Sequence, residues 1–165
     1  MVEAQKHPKD GQSRDKSTID LAAFKQALES GFILKKEDSE GKAALVTNEK
    51  LLALAENLAE QLKNTTSSRQ KDDTVSQFRK FFNEVKGLKQ SDPIKLPVDL
   101  RLLRARMGYA AGRGIISKEF SLVINACIDR LLSLKPHEPE LKAQITGLCD
   151  FFESLYAYYH YYSKS

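Results

Sequence analysis

The sequence KEFSLVINACIDRLLSL (residues 118–134) decides the fold class of this 165-residue chain. Its apolar residues recur at intervals of three and four, which is the spacing of one face of an α-helix. They are Phe120, Val123, Ile124, Cys127, Leu131 and Leu134. Ser117 is a typical N-cap residue, and Glu119 in the first turn favours the same start. The stretch therefore predicts an amphipathic helix.

The same spacing on either side of this segment predicts five further helices, at about residues 19–30, 48–62, 74–89, 98–113 and 140–162. Polar connectors at 35–42 and 64–73 and the proline-containing SDPIKLP separate the predicted helices. Only AALVT (43–47) has weak β character, and no alternating pattern bounded by hairpin turns is present. We therefore predict an all-α fold, a compact bundle of five to six helices. Residues 1–18 are polar and without periodicity, so we expect a disordered tail before a single helical-bundle domain at 19–165.

The composition is that of an ordinary globular protein, with 41% hydrophobic and 29% charged residues. No apolar run approaches the roughly 18–20 residues that cross a bilayer. The start, MVEAQKHPKDGQSRDK, lacks the apolar stretch of a secretory signal, so we expect a cytoplasmic protein without membrane contact. Cys127 and Cys149 lie among apolar residues, where a free cysteine acts as a small hydrophobe, and a disulfide or metal role is disfavoured.

Positive charge is concentrated in the middle third of the chain, residues 71–118. This segment has eleven lysines and arginines against five carboxylates, whereas the segments before and after it are neutral and slightly acidic. Concentrated charge creates a field on one part of the surface. The likeliest partner class is a polyanion.

The third predicted helix places Arg79, Asn83 and Lys86 at i, i+4 and i+7, beside a face of phenylalanines. Such a row can follow a phosphate backbone while the aromatic side chains anchor the helix. Lys80 lies one turn before Glu84, and we expect this carboxylate to neutralise it in part. The alternative is an ordinary solvated face of an amphipathic helix.

The fourth predicted helix interleaves arginines with an aromatic ring, since Arg106, Tyr109 and Arg113 lie along one flank. Arginine binds phosphate through two parallel hydrogen bonds, and tyrosine stacks on bases or bonds a phosphate. A strip of small residues, Ala105, Gly108 and Gly112, lies away from the core and allows another backbone to approach closely.

In the last predicted helix, the aromatic residues at 151–159 have core spacing. Tyr158, His160, Tyr161 and Tyr162 exceed what one small core needs, so we expect some of them to face a partner subunit.

Three blocks together resemble a known family: TVSQFRKFFNEVK (74–86), LLRARMGYAAGRG (102–114) and CDFFESLYAYYHYY (149–162). In order and spacing they are similar to the small subunit of the type III-A CRISPR (Csm) effector complex. The resemblance implies a helical subunit without catalytic activity or cofactor. It would stack head to tail into a short inner filament, facing other subunits of the complex and the duplex of guide RNA and target RNA. The RNA-binding positions that it implies are Arg79, Lys80, Asn83, Lys86, Arg104, Arg106, Tyr109 and Arg113. Gly108 and the pair Tyr158-Tyr159 depart from the family pattern.

Two other function classes remain as alternatives. In the first, the chain is a purely structural spacer whose basic helices dock on acidic faces of neighbouring subunits. In the second it is an enzyme, which the residues disfavour: His7, His137 and His160 pair with no nucleophile or carboxylate cluster at a recognisable spacing. The pair Asp72-Asp73 fits a helix start better than a metal site. No catalytic residue and no metal ligand is predicted.

Overall fold

The structure, a computed structural model, describes residues 19–65, 71–134 and 140–164, which form six α-helices and one small β-hairpin. In chain order the elements are α1 (Leu21–Leu28), β1 (Ile33–Glu37), β2 (Ala43–Thr47), α2 (Glu49–Thr65), α3 (Lys71–Gly87), a 3-10 turn (Leu88–Gln90), α4 (Leu96–Gly112), α5 (Lys118–Leu132) and α6 (Glu140–Ser163). The predicted helical fold class is confirmed. The expected tail at 1–18, His137 and the side chains of Asp72 and Asp73 lie outside the described residues.

Local signals in the sequence set several helix ends. The Ser117 hydroxyl accepts a hydrogen bond from the Phe120 N–H (3.1 Å) and caps α5, as predicted. Gly114, at φ +71°, ends α4 in the left-handed conformation that favours glycine. Its N–H donates to the Ala111 carbonyl at 3.0 Å. At the other end, α4 starts at Leu96, about two residues earlier than predicted, because a proline is compatible with a first helical turn.

One cluster of buried apolar side chains runs through the helices and contains the predicted face of α5. The long helix α6 packs against α2 and α3, while α4 packs against α5. Phe78 of α3 is fully buried, and its ring lies 4.6 Å from that of Phe120 and 5.0 Å from that of Phe152. Cys127 and Cys149 are buried free thiols, and burial raises the pKa of Cys127 far above its ordinary range. They pack as small apolar residues, as predicted.

The prediction of a plain connector at 35–42 without a hairpin is wrong. β1 pairs antiparallel with β2, with Leu34 opposite Val46, and only residues 38–42 form the turn. In that turn the Asp38 carboxylate accepts hydrogen bonds from the N–H groups of Glu40 and Lys42, both at 2.9 Å. Most strand residues are exposed on both faces, so no alternation of apolar and polar residues marks the hairpin in the sequence.

The hairpin is held by buried contacts at its base, which we call the hairpin junction (Phe32, Asn48, Gln144 and Gly147). The Gln144 side chain accepts from the Phe32 N–H (2.6 Å) and donates to the Ile33 carbonyl (3.1 Å). The Asn48 amide donates to the Gly31 carbonyl at 2.8 Å. A Cβ atom on Gly147 would lie 2.7 Å from Phe32 O and Cβ, so the glycine allows α6 to approach this closely. The hairpin, which has no buried apolar face of its own, is therefore held by hydrogen bonds from side chains to its backbone and by close packing on α6.

Candidate nucleic-acid interface

The candidate residues of α3 lie on two opposite flanks of this helix. At about 100° per residue, Gln77, Lys80 and Glu84 point toward α4, whereas Phe82 and Lys86 point toward α6. The contacts agree, because Glu84 reaches an arginine of α4 and Phe82 stacks on rings of α6. The predicted rows on α3 and α4 therefore belong to different surfaces.

The first surface is the α3–α4 groove, a cleft of about 380 Å³ lined by Gln77, Lys80, Leu102, Arg106 and Tyr109, among others. Arg106 Nη1 lies 3.0 Å from Glu84 Oε2, so this carboxylate pairs across the groove with Arg106. The expected pairing of Glu84 with Lys80 is not formed. The Arg106 side chain keeps 55% of its surface exposed and remains accessible from solvent.

Arg113 and Tyr109 form an exposed pair at the end of the groove. Arg113 Nη1 donates to the Tyr109 hydroxyl at 2.9 Å, and the guanidinium carbon lies 5.7 Å from the ring centroid. Tyr109 is 64% exposed, which is unusual for a large aromatic side chain. The pair presents a cation and an aromatic face side by side, as the sequence predicted.

Arg104 is separated from the other candidates. It lies on the α5 side of α4, is only one third exposed and forms an ion pair with Asp129 of α5. A structural contact between α4 and α5 therefore already engages this guanidinium. Because its neighbour Arg106 lies roughly 160° away around the helix, the two do not share a surface.

The second surface, the α3–α6 surface, consists of Arg79, Asn83, Lys86, Tyr156 and His160. The first three side chains are exposed, and the last two are half-buried. Lys86 Nζ lies 4.6 Å from the centroid of the Phe82 ring, at a distance typical of a cation–π contact. The Phe82 ring stacks on Tyr156 at 5.8 Å and 12°, and the Tyr156 ring lies 6.2 Å from that of His160. The sequence predicted Tyr156 at core spacing, and it predicted a partner contact for some members of the set Tyr158, His160, Tyr161 and Tyr162. The i, i+4 spacing of Tyr156 and His160 was the signal that they share a face.

Positive charge on the α3–α6 surface is only weakly opposed. Over the ranges that the structure describes, neither Arg79 nor Lys86 forms an ion pair. Burial raises the pKa of Cys149, the positive charges of Lys89 and Lys86 oppose that rise, and Asp150 and Glu153 add to it. Both lysines therefore lie near α6, with Asp150 and Glu153 as nearby carboxylates.

The outer face of α4 presents apolar and small residues to solvent. Ile94, just before the helix, is 73% exposed, and Val98 and Leu102 are 57% and 47% exposed. The predicted strip of small residues is also exposed, and a Cβ atom on Gly108 would meet nothing within 4 Å. No contact with the described residues explains this glycine.

The fold and these surfaces define a small helical protein whose candidate chemistry lies on its outer helices. Among the described residues, no three His, Cys, Asp or Glu side chains are grouped to hold a metal ion, and no helix is both long and apolar enough to cross a membrane. A family model described as Csm2 Type III-A matches residues 46–165. The chain belongs to this family and is a subunit of a type III-A CRISPR effector complex, which confirms the resemblance seen in the sequence. Comparisons with curated proteins and with solved structures gave no match.

Proposed function

We propose that this chain is the non-catalytic small subunit that binds the backbone of guide and target RNA and stacks with copies of itself into a short inner filament. Membership of the Csm2 Type III-A family supports its place in the complex. The distribution of exposed cations on α3 and α4 supports the choice of RNA as the ligand.

The observation that carries the proposal is the set of α3 cations that are exposed and without a carboxylate partner in the described part of the chain: Arg79, Lys80 and Lys86. An exposed cation that has no internal ion pair keeps its hydrogen-bond donors for an external anion. Contacts to phosphate and ribose carry no sequence information, and base pairing between guide and target supplies the specificity. The subunit would therefore hold RNA of any sequence.

The cations on α4 differ in how they would contribute to RNA binding. Arg113 and Tyr109 offer a guanidinium and a ring to the same nucleotide, whereas Arg106 must exchange part of its contact with Glu84 for a phosphate. That exchange costs little because an exposed ion pair contributes only about 0–1 kcal/mol. Arg104, which lies outside the groove and is paired with Asp129 of α5, contributes least to RNA binding.

A triple charge reversal tests the proposal. The variant Arg79→Glu, Lys80→Glu, Lys86→Glu is compared with a control that reverses three exposed lysines elsewhere, Lys36→Glu, Lys42→Glu and Lys118→Glu. Fluorescence anisotropy at low salt, with a labelled RNA duplex that carries a single-stranded extension, should show an affinity loss of at least about tenfold for the first variant and a much smaller loss for the control. With about four phosphates neutralised, log K of the unaltered protein should fall with log salt at a slope of about −3.

Equal losses of RNA affinity in the two variants would show that binding depends only on the net charge of the protein, which would contradict a specific site. Unchanged binding in the first variant would overturn the proposal. Circular dichroism of both variants should keep the helical signal, because all six substituted side chains are exposed.

A second candidate function is the purely structural spacer, which the exposed apolar side chains of Ile94, Val98 and Leu102 favour. Apolar side chains gain nothing from phosphate but stabilise a protein contact. The acidic C-terminal segment of the next copy would supply a face complementary to the basic helices. Repetition of this contact would give an open stack of copies. The variant Ile94→Asp, Val98→Asp should abolish assembly without RNA while the isolated subunit still binds RNA. If RNA binding is lost as well, the two functions share one surface.

A further inference from the structure

We propose that the α3–α6 surface is a separate binding site for single-stranded RNA, and that two α6 residues and one residue of the 3-10 turn belong to it. The added residues are Tyr156, His160 and Lys89. This inference deepens the proposed function and rests on it, since it names the part of the RNA that one surface takes.

The cations on this side form a nearly straight row. Arg79, Lys86 and Lys89 are separated by seven and three residues, so they return to one side of α3 and of the 3-10 turn that continues it. The row is about 15 Å long at 1.5 Å per residue. A strand in a nucleic-acid helix carries one phosphate per about 3.4 Å of axis, so the row matches roughly four nucleotides.

The aromatic side chains continue from the core to the edge of this row. Phe152 is fully buried, Phe82 lies against it at 6.1 Å and 8°, and Tyr156 follows at 5.8 Å from Phe82. The rings of Tyr156 and His160 lie next to each other at the partly exposed end. Partly exposed rings that pack against core rings are suitable for stacking on a base.

The ligand chemistry follows from what surrounds the rings. Stacking on a side chain requires a base that is not already paired in a duplex, which favours a single strand. The large apolar side chains that are exposed in the described ranges lie elsewhere, on α4, α5, β2 and other faces of α6. A protein partner would therefore find few apolar contacts here. Asp150 and Glu153 are two carboxylates against the three cations Arg79, Lys86 and Lys89, so the surface keeps a net positive charge.

The experiment measures three variants of the full chain against two RNA probes, an unstructured oligouridine of about 12 nucleotides and a perfectly paired RNA duplex. The first variant, Lys86→Ala with Lys89→Ala, should reduce the salt slope for oligouridine by about 1.4, because each phosphate contact on a single strand contributes about 0.7. The second, His160→Ala, should weaken oligouridine binding at least about fivefold and leave duplex binding unchanged. His160→Tyr retains a ring and should bind oligouridine like the unaltered protein.

The matched control, Lys80→Ala with Arg113→Ala, removes two cations from the α3–α4 groove. If only this control weakens oligouridine binding, the inference is overturned while the proposed function stands. Should the unaltered protein bind neither probe, the proposed function fails and the inference with it. Loss of assembly by the Lys86→Ala, Lys89→Ala variant without RNA would assign this surface to a protein partner and also overturn the inference.

Discussion

Helix α6 meets the rest of the chain in two different ways along its length. At the hairpin junction, the Gln144 side-chain amide accepts a hydrogen bond from the Phe32 N–H, and Gly147 lets α6 pack directly on Phe32, the residue before β1. At the α3–α6 surface, the Tyr156 ring stacks on Phe82, the ring that Lys86 contacts, and this cation forms no ion pair with any described residue. Buried polar groups need internal partners, whereas exposed cations do not. One end of α6 therefore stabilises the fold, and the other end leaves groups available to a ligand.

The largest expected effect is that of Gly147→Ala at the closed end. The new Cβ would lie 2.7 Å from Phe32 O, and backbone atoms must move to accept it. We expect the free energy of unfolding to fall by about 3 kcal/mol, despite the better helix propensity of alanine. Urea denaturation measures the change, and a variant as stable as the parent would show that the junction is loosely packed.

The next effect is that of Gln144→Leu, which introduces an apolar side chain of similar size and removes both hydrogen-bonding groups. The Phe32 N–H and the Ile33 carbonyl lose their side-chain partner. An unpaired buried polar group costs about 1–3 kcal/mol, so we expect a loss of about 2 kcal/mol and faster amide exchange at Phe32. Unchanged exchange at this amide would mean that the hairpin holds itself without α6.

A smaller effect of opposite sign is expected from Gly108→Ala, which serves as the exposed counterpart of Gly147→Ala. The added methyl group meets no atom within 4 Å, and alanine favours the helix by about 1 kcal/mol. Thermal unfolding should therefore occur at a higher temperature. If the stabilised variant no longer assembles, the strip of small residues on α4 contacts a partner; a destabilised variant would contradict the helix assignment at this position.

The smallest effect is expected from Glu84→Gln, which removes the ion-pair partner of Arg106 and leaves this arginine unpaired, like Lys86. Removing the carboxylate 3.0 Å from Arg106 should change stability by no more than about 0.5 kcal/mol, since the pair is partly exposed. Arg106 then becomes as available as Lys86, and RNA duplex binding should strengthen by about twofold at low salt. Weaker binding in an anisotropy titration would contradict a direct phosphate contact by Arg106.

Most of the helical fold could be predicted because helix formation depends on neighbours three and four residues apart. The face of α5, the cap at Ser117 and the end of α4 near Gly114 followed from short segments. The hairpin could not be predicted this way. Its exposed strands lack a periodic pattern, and its anchor Gln144 lies 112 residues from Phe32 in the chain.

The candidate site was predicted in its residue types but not in its arrangement. The spacing of the residues placed Lys80 and Lys86 on one basic helix. In the structure, Lys80 faces α4 and Lys86 lies on the side of α3 that faces α6. The sequence offered Lys80 as the partner of Glu84 at one helical turn. The observed partner is Arg106, 22 residues away, which no local pattern indicates.

Local periodicity and composition were thus sufficient for the six helices, the burial of both cysteines and the basic character of α3 and α4. These properties depend on the order of side chains along a single helix. Which cations remain available to RNA was decided by packing: Arg104 is held by Asp129 and Arg106 by Glu84, while Arg79 and Lys86 have no carboxylate partner among the described residues. The physical reason is that an ion pair between helices depends on the distance between side chains far apart in the chain, and only the assembled bundle sets that distance.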